Sequence, residues 1–121
     1  MPSQKLVLIV EDDPATQQLL VALMRRDGLR TVIASNGQQA IDELRKTSFD
    51  VVILDLMMPA VGGREVVDFL TRENRSENVI VCTAAGPRMT EEIRSPLVRA
   101  VVRKPFDIDE LTRLVAEIGK P

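Results

Sequence analysis

The chain has no histidine, no tryptophan and no tyrosine, and only one cysteine among its 121 residues. Without histidine it lacks the usual general base at neutral pH and the commonest nitrogen ligand for metals. A single cysteine does not make a zinc site. Any metal that binds to this protein is therefore expected to be a hard cation with oxygen ligands.

Long apolar runs and a large excess of charge of one sign are also missing. Only six apolar-rich residues precede Glu11, too few for a signal peptide or a membrane span. The 16 basic and 18 acidic residues nearly cancel, and there is no basic run of the kind that binds nucleic acid. Cys82 has no partner for an internal disulfide. We therefore expect a cytoplasmic protein that binds neither nucleic acid nor membrane directly.

What the chain does contain is typical of one globular domain. Hydrophobic residues make up 45% of it and charged residues 28%, as in ordinary soluble domains of this length. We expect a single domain over residues 1–121, in which residues 119–121 are a tail or the start of a linker.

Short apolar runs alternate with stretches of helical spacing along the whole chain. The runs predict five strands: Lys5–Val10, Arg30–Ala34, Asp50–Leu54, Asn78–Cys82 and Arg99–Arg103. Apolar residues at helical spacing follow four of these runs: Leu19, Leu20 and Leu23; Ala40, Ile41 and Leu44; Val66, Val67 and Leu70; and Leu111, Leu114, Val115 and Ile118. This alternation predicts an α/β fold, a doubly wound five-stranded parallel sheet with helices on both faces.

Proline, glycine and asparagine mark where the predicted helices begin and end. Pro14 suits the first turn of the first helix, and Gly28 suits its C-terminal cap. Ser35-Asn36-Gly37 predicts a turn into the second helix. Pro87 and Pro96 flank the fourth helix, which should therefore be short or distorted.

Polar side chains follow four of the predicted strands, at the edge where parallel sheets bind ligands. They are Glu11-Asp12-Asp13 after the first strand, Asp55 after the third, Thr83 after the fourth and Lys104 after the fifth. Clustered carboxylates repel one another unless a cation neutralises them, and Mg²⁺ prefers carboxylate, water and phosphate oxygens. Asp55 is the best-placed nucleophile for an acyl phosphate, while Thr83 and Lys104 suit the phosphoryl oxygens.

Each of these residues also has a simpler interpretation. An acid after a strand is commonly a helix N-cap, which has roughly even odds for Asp12 or Asp13 alone. Thr83 could be a loop hydroxyl and Lys104 a surface charge before a turn-forming proline. The combination favours phosphoryl chemistry, because we allow only about one chance in twenty for all of them to stand at the correct strand ends by accident.

With these residues, the sequence resembles the receiver domains of bacterial response regulators over essentially its whole length. The matching segments are Val51–Pro59 with the following Gly63, Ala34–Gly37, Thr83-Ala84 and Lys104–Phe106. Glu11-Asp12 looks like the family's acidic pair, because Asp12 stands 43 positions before Asp55, and Asp13 would be an additional acid. The resemblance implies the CheY-like, flavodoxin-like strand order 2-1-3-4-5.

The resemblance also implies a magnesium site and a phosphoacceptor. Asp55 would take a phosphoryl group from the phosphohistidine of a sensor histidine kinase or phosphotransfer protein. Glu11, Asp12, Asp55 and the backbone carbonyl of Met57 would coordinate Mg²⁺, directly or through water. The domain would then switch conformation and signal to a downstream effector protein or domain.

The same family pattern assigns the residues that hold the phosphoryl group. Thr83, Ala84 and Lys104 would bind its oxygens, with the small Ala84 leaving the site open, and Asp55, Thr83 and Lys104 would carry the chemistry. Such a protein is a signalling domain that assists its own phosphorylation and dephosphorylation, and is not an enzyme in the usual sense.

Val101 departs from the family pattern, in which an aromatic residue commonly stands three positions before the lysine. This departure leaves open an alternative, a receiver-like module that binds partners without phosphorylation. A phosphatase of the haloacid dehalogenase kind would need a second aspartate two positions after its nucleophile. That position is Met57 here, which disfavours the phosphatase.

Overall fold

The computed structural model describes residues 5–58, 61–84, 86–93 and 95–118. Pro59 and the predicted tail at residues 119–121 lie outside these ranges. Within the described ranges, five strands and five helices alternate: β1 (Leu6–Val10), α1 (Pro14–Arg26), β2 (Arg30–Ala34), α2 (Gly37–Lys46), β3 (Val51–Leu54), α3 (Gly63–Arg72), β4 (Asn78–Thr83), α4 (Pro87–Glu92), β5 (Val98–Arg103) and α5 (Ile108–Ile118).

All five strands are parallel and lie in the order β2-β1-β3-β4-β5, which confirms the predicted fold class. Every residue of β3 is buried, whereas β2 and β5 at the two edges are partly exposed. Buried apolar side chains form one core cluster on each face of the sheet, as expected for a sheet covered by helices on both sides.

Local signals explain where the first two helices begin and end. Asp13 caps α1 by accepting a hydrogen bond from the Thr16 backbone N–H at 2.9 Å, and Pro14 follows in the first turn. Gly28 adopts φ +79° just beyond the last turn, a conformation that glycine tolerates best. Asn36 caps α2 by accepting from the Gln39 N–H at 2.8 Å.

The fourth helix is short, as its flanking prolines predicted, with only six residues in Pro87–Glu92. Two details differ from the sequence pattern. Leu19 is 40% exposed, because the buried stripe of α1 runs through Leu20, Leu23 and Met24. Thr83 is the last residue of β4 instead of following it.

No helix in the described part of the chain is long and apolar enough to cross a lipid bilayer.

Candidate phosphoacceptor and metal site

The segment Glu11-Asp12-Asp13 follows β1 at the carboxyl edge of the sheet, and its three side chains lie in different environments. The Glu11 N–H donates to the Ala34 carbonyl at 3.0 Å, which extends the pairing with β2 by one bond. Glu11 is buried at 2% exposure, whereas Asp12 is exposed. Asp13 is engaged as the cap of α1, and the hydrogen bonds from Thr16 lower the pKa of its carboxyl.

Asp55 follows the central strand β3, and both its backbone and its side chain are hydrogen-bonded. Its backbone N–H donates to the Val10 carbonyl at 3.0 Å, and its Oδ1 accepts from the Met57 N–H at 3.0 Å. The residue is only 7% exposed. Gly63, at the start of α3, comes so close that a Cβ there would lie 2.6 Å from the Asp55 carbonyl oxygen. Glycine at this position therefore lets α3 pack directly behind Asp55.

Glu11, Asp12 and Asp55 can each place a carboxylate oxygen so that all three oxygens lie within 4.8 Å of one another. The sequence-predicted acids of β1 and β3 are thus brought together, and Asp13 is not part of the group. All the donors are hard carboxylate oxygens. Two of the three residues, Glu11 and Asp55, are buried, and their backbone N–H groups are hydrogen-bonded to neighbouring strands. This set fits Mg²⁺, which commonly binds to one or two carboxylates and completes its shell with water and phosphate oxygens.

Lys104 reaches into this cluster from the end of β5. Its Nζ donates to Glu11 Oε1 and, at 3.1 Å, to Asp55 Oδ2. Burial alone would lower the pKa of Lys104, but the hydrogen bonds with Glu11 and Asp55 prevail and raise it. Burial raises the pKa of Glu11, and the hydrogen bond from Lys104 opposes that rise. Lys104 therefore stays positively charged beside the two buried carboxylates.

The remaining predicted residues adjoin this cluster. Thr83 is fully buried, and its carbonyl accepts from the Lys104 backbone N–H at 3.0 Å. Ala84 is exposed, and it lines an open cleft of about 490 Å³ together with Lys104. The other residues that line this cleft are Thr16, Leu19, Pro105, Phe106 and Ile108. Met57 is 54% exposed. Cys82 lies beneath the site, where burial raises the pKa of its thiol to about 11.

One residue at the site was missed by sequence reasoning. The Gln17 side chain, in α1, donates from Nε2 to the Glu11 carbonyl oxygen at 2.5 Å and to Ser35 Oγ at 3.1 Å. The neighbouring Gln18 is exposed and has no side-chain hydrogen bond among the described residues. The two glutamines differ only in which side of α1 they occupy. The sequence could not show which of two adjacent identical residues faces the site.

Comparisons with known proteins agree with this geometry. Residues 7–116 match the response regulator receiver domain family. Sporulation initiation phosphotransferase F of Bacillus subtilis is 34% identical over 106 residues, which are 87% of this chain and 86% of that protein. The sensor histidine kinase AruS of Pseudomonas aeruginosa is 30% identical over 118 residues, which are 93% of this chain but 12% of that protein. The chain thus spans only a small part of some relatives.

Solved structures show the same fold. The response regulator TrrA of Thermotoga maritima, in complex with Mg²⁺-BeF, superposes with a TM-score of 0.85 at 29% identity, covering 95% of this chain and 99% of that chain. The Francisella response regulator 1452 receiver domain gives a TM-score of 0.87 at 26% identity, with coverages of 96% and 97%. The family match over most of the chain, together with this fold, shows that the protein belongs to the response regulator receiver domains of two-component signal transduction.

Proposed function

We propose that this receiver domain accepts a phosphoryl group on Asp55 from the phosphohistidine of a sensor histidine kinase or phosphotransfer protein, in a reaction that requires Mg²⁺. The observation that carries the proposal is the three-carboxylate group of Glu11, Asp12 and Asp55, with Lys104 donating to two of its members. This arrangement combines a carboxylate nucleophile with a positively charged lysine and with carboxylates that could hold a cation. Phosphoryl transfer needs such positioning and charge neutralisation.

Glu11, Asp12, Asp55 and the Met57 carbonyl would hold the Mg²⁺. The bound cation would neutralise charge on the phosphoryl oxygens and on the carboxylate cluster. The chain's own residues supply the rest. A carboxylate oxygen of Asp55 forms the new bond to phosphorus as the bond from phosphorus to the donor imidazole nitrogen breaks, and the imidazole then takes up a proton from solvent.

Lys104, Thr83 and Ala84 would bind the oxygens of the transferred group. The positively charged Lys104 lies within hydrogen-bonding distance of Asp55. It can therefore stabilise the negative charge that develops on the phosphoryl oxygens. The buried Thr83 adjoins Lys104 through a backbone hydrogen bond. Through these residues the domain would assist its own phosphorylation and dephosphorylation.

The partners we infer are proteins. A kinase or phosphotransfer protein would supply the phosphoryl group, and an effector protein or domain would bind the phosphorylated form, all in the cytoplasm. Relatives of the chain include a sensor histidine kinase and the transcriptional regulatory protein ZraR of Klebsiella oxytoca, of which it spans 12% and 25%.

A phosphorylation-independent interaction module is the second candidate. It is favoured by Val101, which is 43% exposed on the edge strand β5 and has no aromatic ring to turn inward. Its β-branched side chain also has few rotamers. The output surface could therefore differ from the family pattern even if the phosphorylation site is intact.

Reductive trapping distinguishes the two candidates and locates the phosphoryl group. The protein is incubated with Mg²⁺ and acetyl phosphate and then treated with borohydride, which reduces an aspartyl phosphate to homoserine. We expect peptide mass spectrometry to find homoserine at position 55. If trapping finds none, under conditions in which a known receiver domain is trapped, the interaction module is favoured.

Adjacent acids provide a matched test of the metal ligands. Asp12→Asn is expected to weaken Mg²⁺ binding by at least about tenfold, equivalent to about 1.4 kcal/mol, because it removes one of the negative charges beside the cation. Asp13→Asn should leave the Mg²⁺ dissociation constant within about twofold of wild type, since asparagine caps a helix as well as aspartate does. Isothermal titration with Mg²⁺ measures both. The reverse order of effects would assign the site to Asp13.

A further inference from the structure

The Glu11 carbonyl oxygen lies just beyond the last bond between β1 and β2. The paired register ends at Val10 and Ala34, and the Glu11 N–H makes the final contact with the Ala34 carbonyl. Past this point the Glu11 carbonyl depends on another donor. The amide of Gln17 is that donor, at 2.5 Å.

This carbonyl belongs to the peptide group that joins Glu11 to Asp12. Because a peptide group is planar, holding its oxygen also fixes where the next Cα lies. Asp12 is exposed, and unlike Glu11 and Asp55 it has no side-chain hydrogen bond among the described residues that would fix its carboxylate. The direction of the Glu11–Asp12 peptide therefore largely determines where the Asp12 carboxylate can go.

The Gln17 amide also links the loops at the carboxyl edge of the sheet. Its second hydrogen bond, to Ser35 Oγ at 3.1 Å, reaches the loop that follows β2. The Gly37 N–H, two residues on, donates to the Val61 carbonyl at 2.8 Å in the loop that follows β3. The loops that carry Glu11 and Asp55 are thus connected by a short path of hydrogen bonds.

We propose that Gln17 is a positioning residue for the magnesium site, acting through the Glu11–Asp12 peptide and not by contact with the ion. The inference rests on the proposed function, because it assumes that Asp12 is a metal ligand. Residues that orient the ligands of a metal commonly change its affinity by about 10- to 100-fold when they are replaced.

Gln17→Met removes both hydrogen bonds while keeping the side-chain length, and Gln18→Met is the matched control on the exposed side of α1. With Mg²⁺ alone as the probe, calorimetry should show a dissociation constant about tenfold higher for Gln17→Met. The Gln18→Met value should stay within about twofold of wild type. The midpoint of thermal unfolding confirms that each variant is folded, and Gln17→Ala provides a second variant with no new side-chain contacts.

The rate of labelling by acetyl phosphate, measured against Mg²⁺ concentration, gives a second readout. We expect Gln17→Met to need more Mg²⁺ for half-maximal rate and to come within about twofold of the wild-type rate at saturation, because Asp55 and Lys104 are unchanged. Unchanged Mg²⁺ affinity in both Gln17 variants, or a rate that stays low at saturating Mg²⁺, would overturn the inference. A wild-type protein that neither binds Mg²⁺ nor is labelled would instead refute the proposed function, and the inference with it.

Discussion

Asp55→Asn is expected to lose labelling by acetyl phosphate by more than about a hundredfold, because an amide oxygen is a far weaker nucleophile than a carboxylate. The fold should survive. Asparagine keeps nearly the same shape, and its carbonyl oxygen can still accept the hydrogen bond that the Met57 N–H makes to Asp55 Oδ1 at 3.0 Å. Intact mass spectrometry measures the label, and the midpoint of thermal unfolding reports on the fold.

Asp50→Asn is the control for this variant, since Asp50 precedes the same strand β3 at the opposite edge of the sheet. Its Oδ2 accepts from the Leu6 N–H at 2.7 Å, and an asparagine oxygen can do the same. Asp50→Asn should therefore be labelled like the wild type. A label that persists in Asp55→Asn would move the phosphoacceptor to another residue.

Arg75→Met is expected to lower the free energy of unfolding by about 3 kcal/mol, because it leaves a buried carboxylate without its partner. Arg75 donates from Nε and from its second terminal nitrogen to both oxygens of Glu77, at 3.1 and 2.6 Å, and Glu77 is only 2% exposed. Arg75 also donates to the carbonyls of Leu44 and Thr47 at the end of α2. Glu77 in turn accepts from the Phe49 N–H at 3.2 Å.

Urea denaturation of three variants tests this network. Arg72→Met removes an exposed arginine from the last turn of α3 and should change the free energy of unfolding by no more than about 0.5 kcal/mol. The double variant Arg75→Met with Glu77→Gln should recover part of the loss, since no charge then remains buried. If Arg75→Met is as stable as Arg72→Met, the buried pair does not stabilise the fold.

The strands and their order of appearance could be predicted from local patterns. β3 reads as a continuous apolar run because it is central and buried on both faces, and the structure buries all of Val51–Leu54. The strand ends differ from prediction by a single residue each: Lys5 and Asp50 lie outside β1 and β3, and Thr83 and Val98 lie inside β4 and β5. Such differences are within the ordinary uncertainty of strand boundaries. Leu19 shares the apolar spacing of α1 but lies outside its buried face, because the apolar residues of α1 outnumber the positions on that face.

The site could be predicted in outline because parallel strands end at a common edge. That rule brings Glu11, Asp55 and Lys104 together from positions as far apart in sequence as 11 and 104. The rule could not tell whether Asp12 or Asp13 joins the carboxylate group, because that depends on which side chain turns back to cap α1. The structure gives that task to Asp13.

Long-range polar contacts were beyond prediction. Glu77 lies in the polar stretch before β4 and resembles a surface acid, yet it is buried because Arg75 and the Phe49 N–H neutralise and bind it. Gln17 meets Ser35 across 18 residues of sequence. The spacing of residues in the sequence does not predict such contacts, because they depend on how the loops pack once the sheet has formed.

The most direct test of the central claim is the intact mass of the wild-type protein after incubation with acetyl phosphate, with and without Mg²⁺. The account predicts one added phosphoryl group when Mg²⁺ is present and none when it is removed by a chelator. An unchanged mass in the presence of Mg²⁺, under conditions that label a known receiver domain, would contradict it and favour the phosphorylation-independent interaction module.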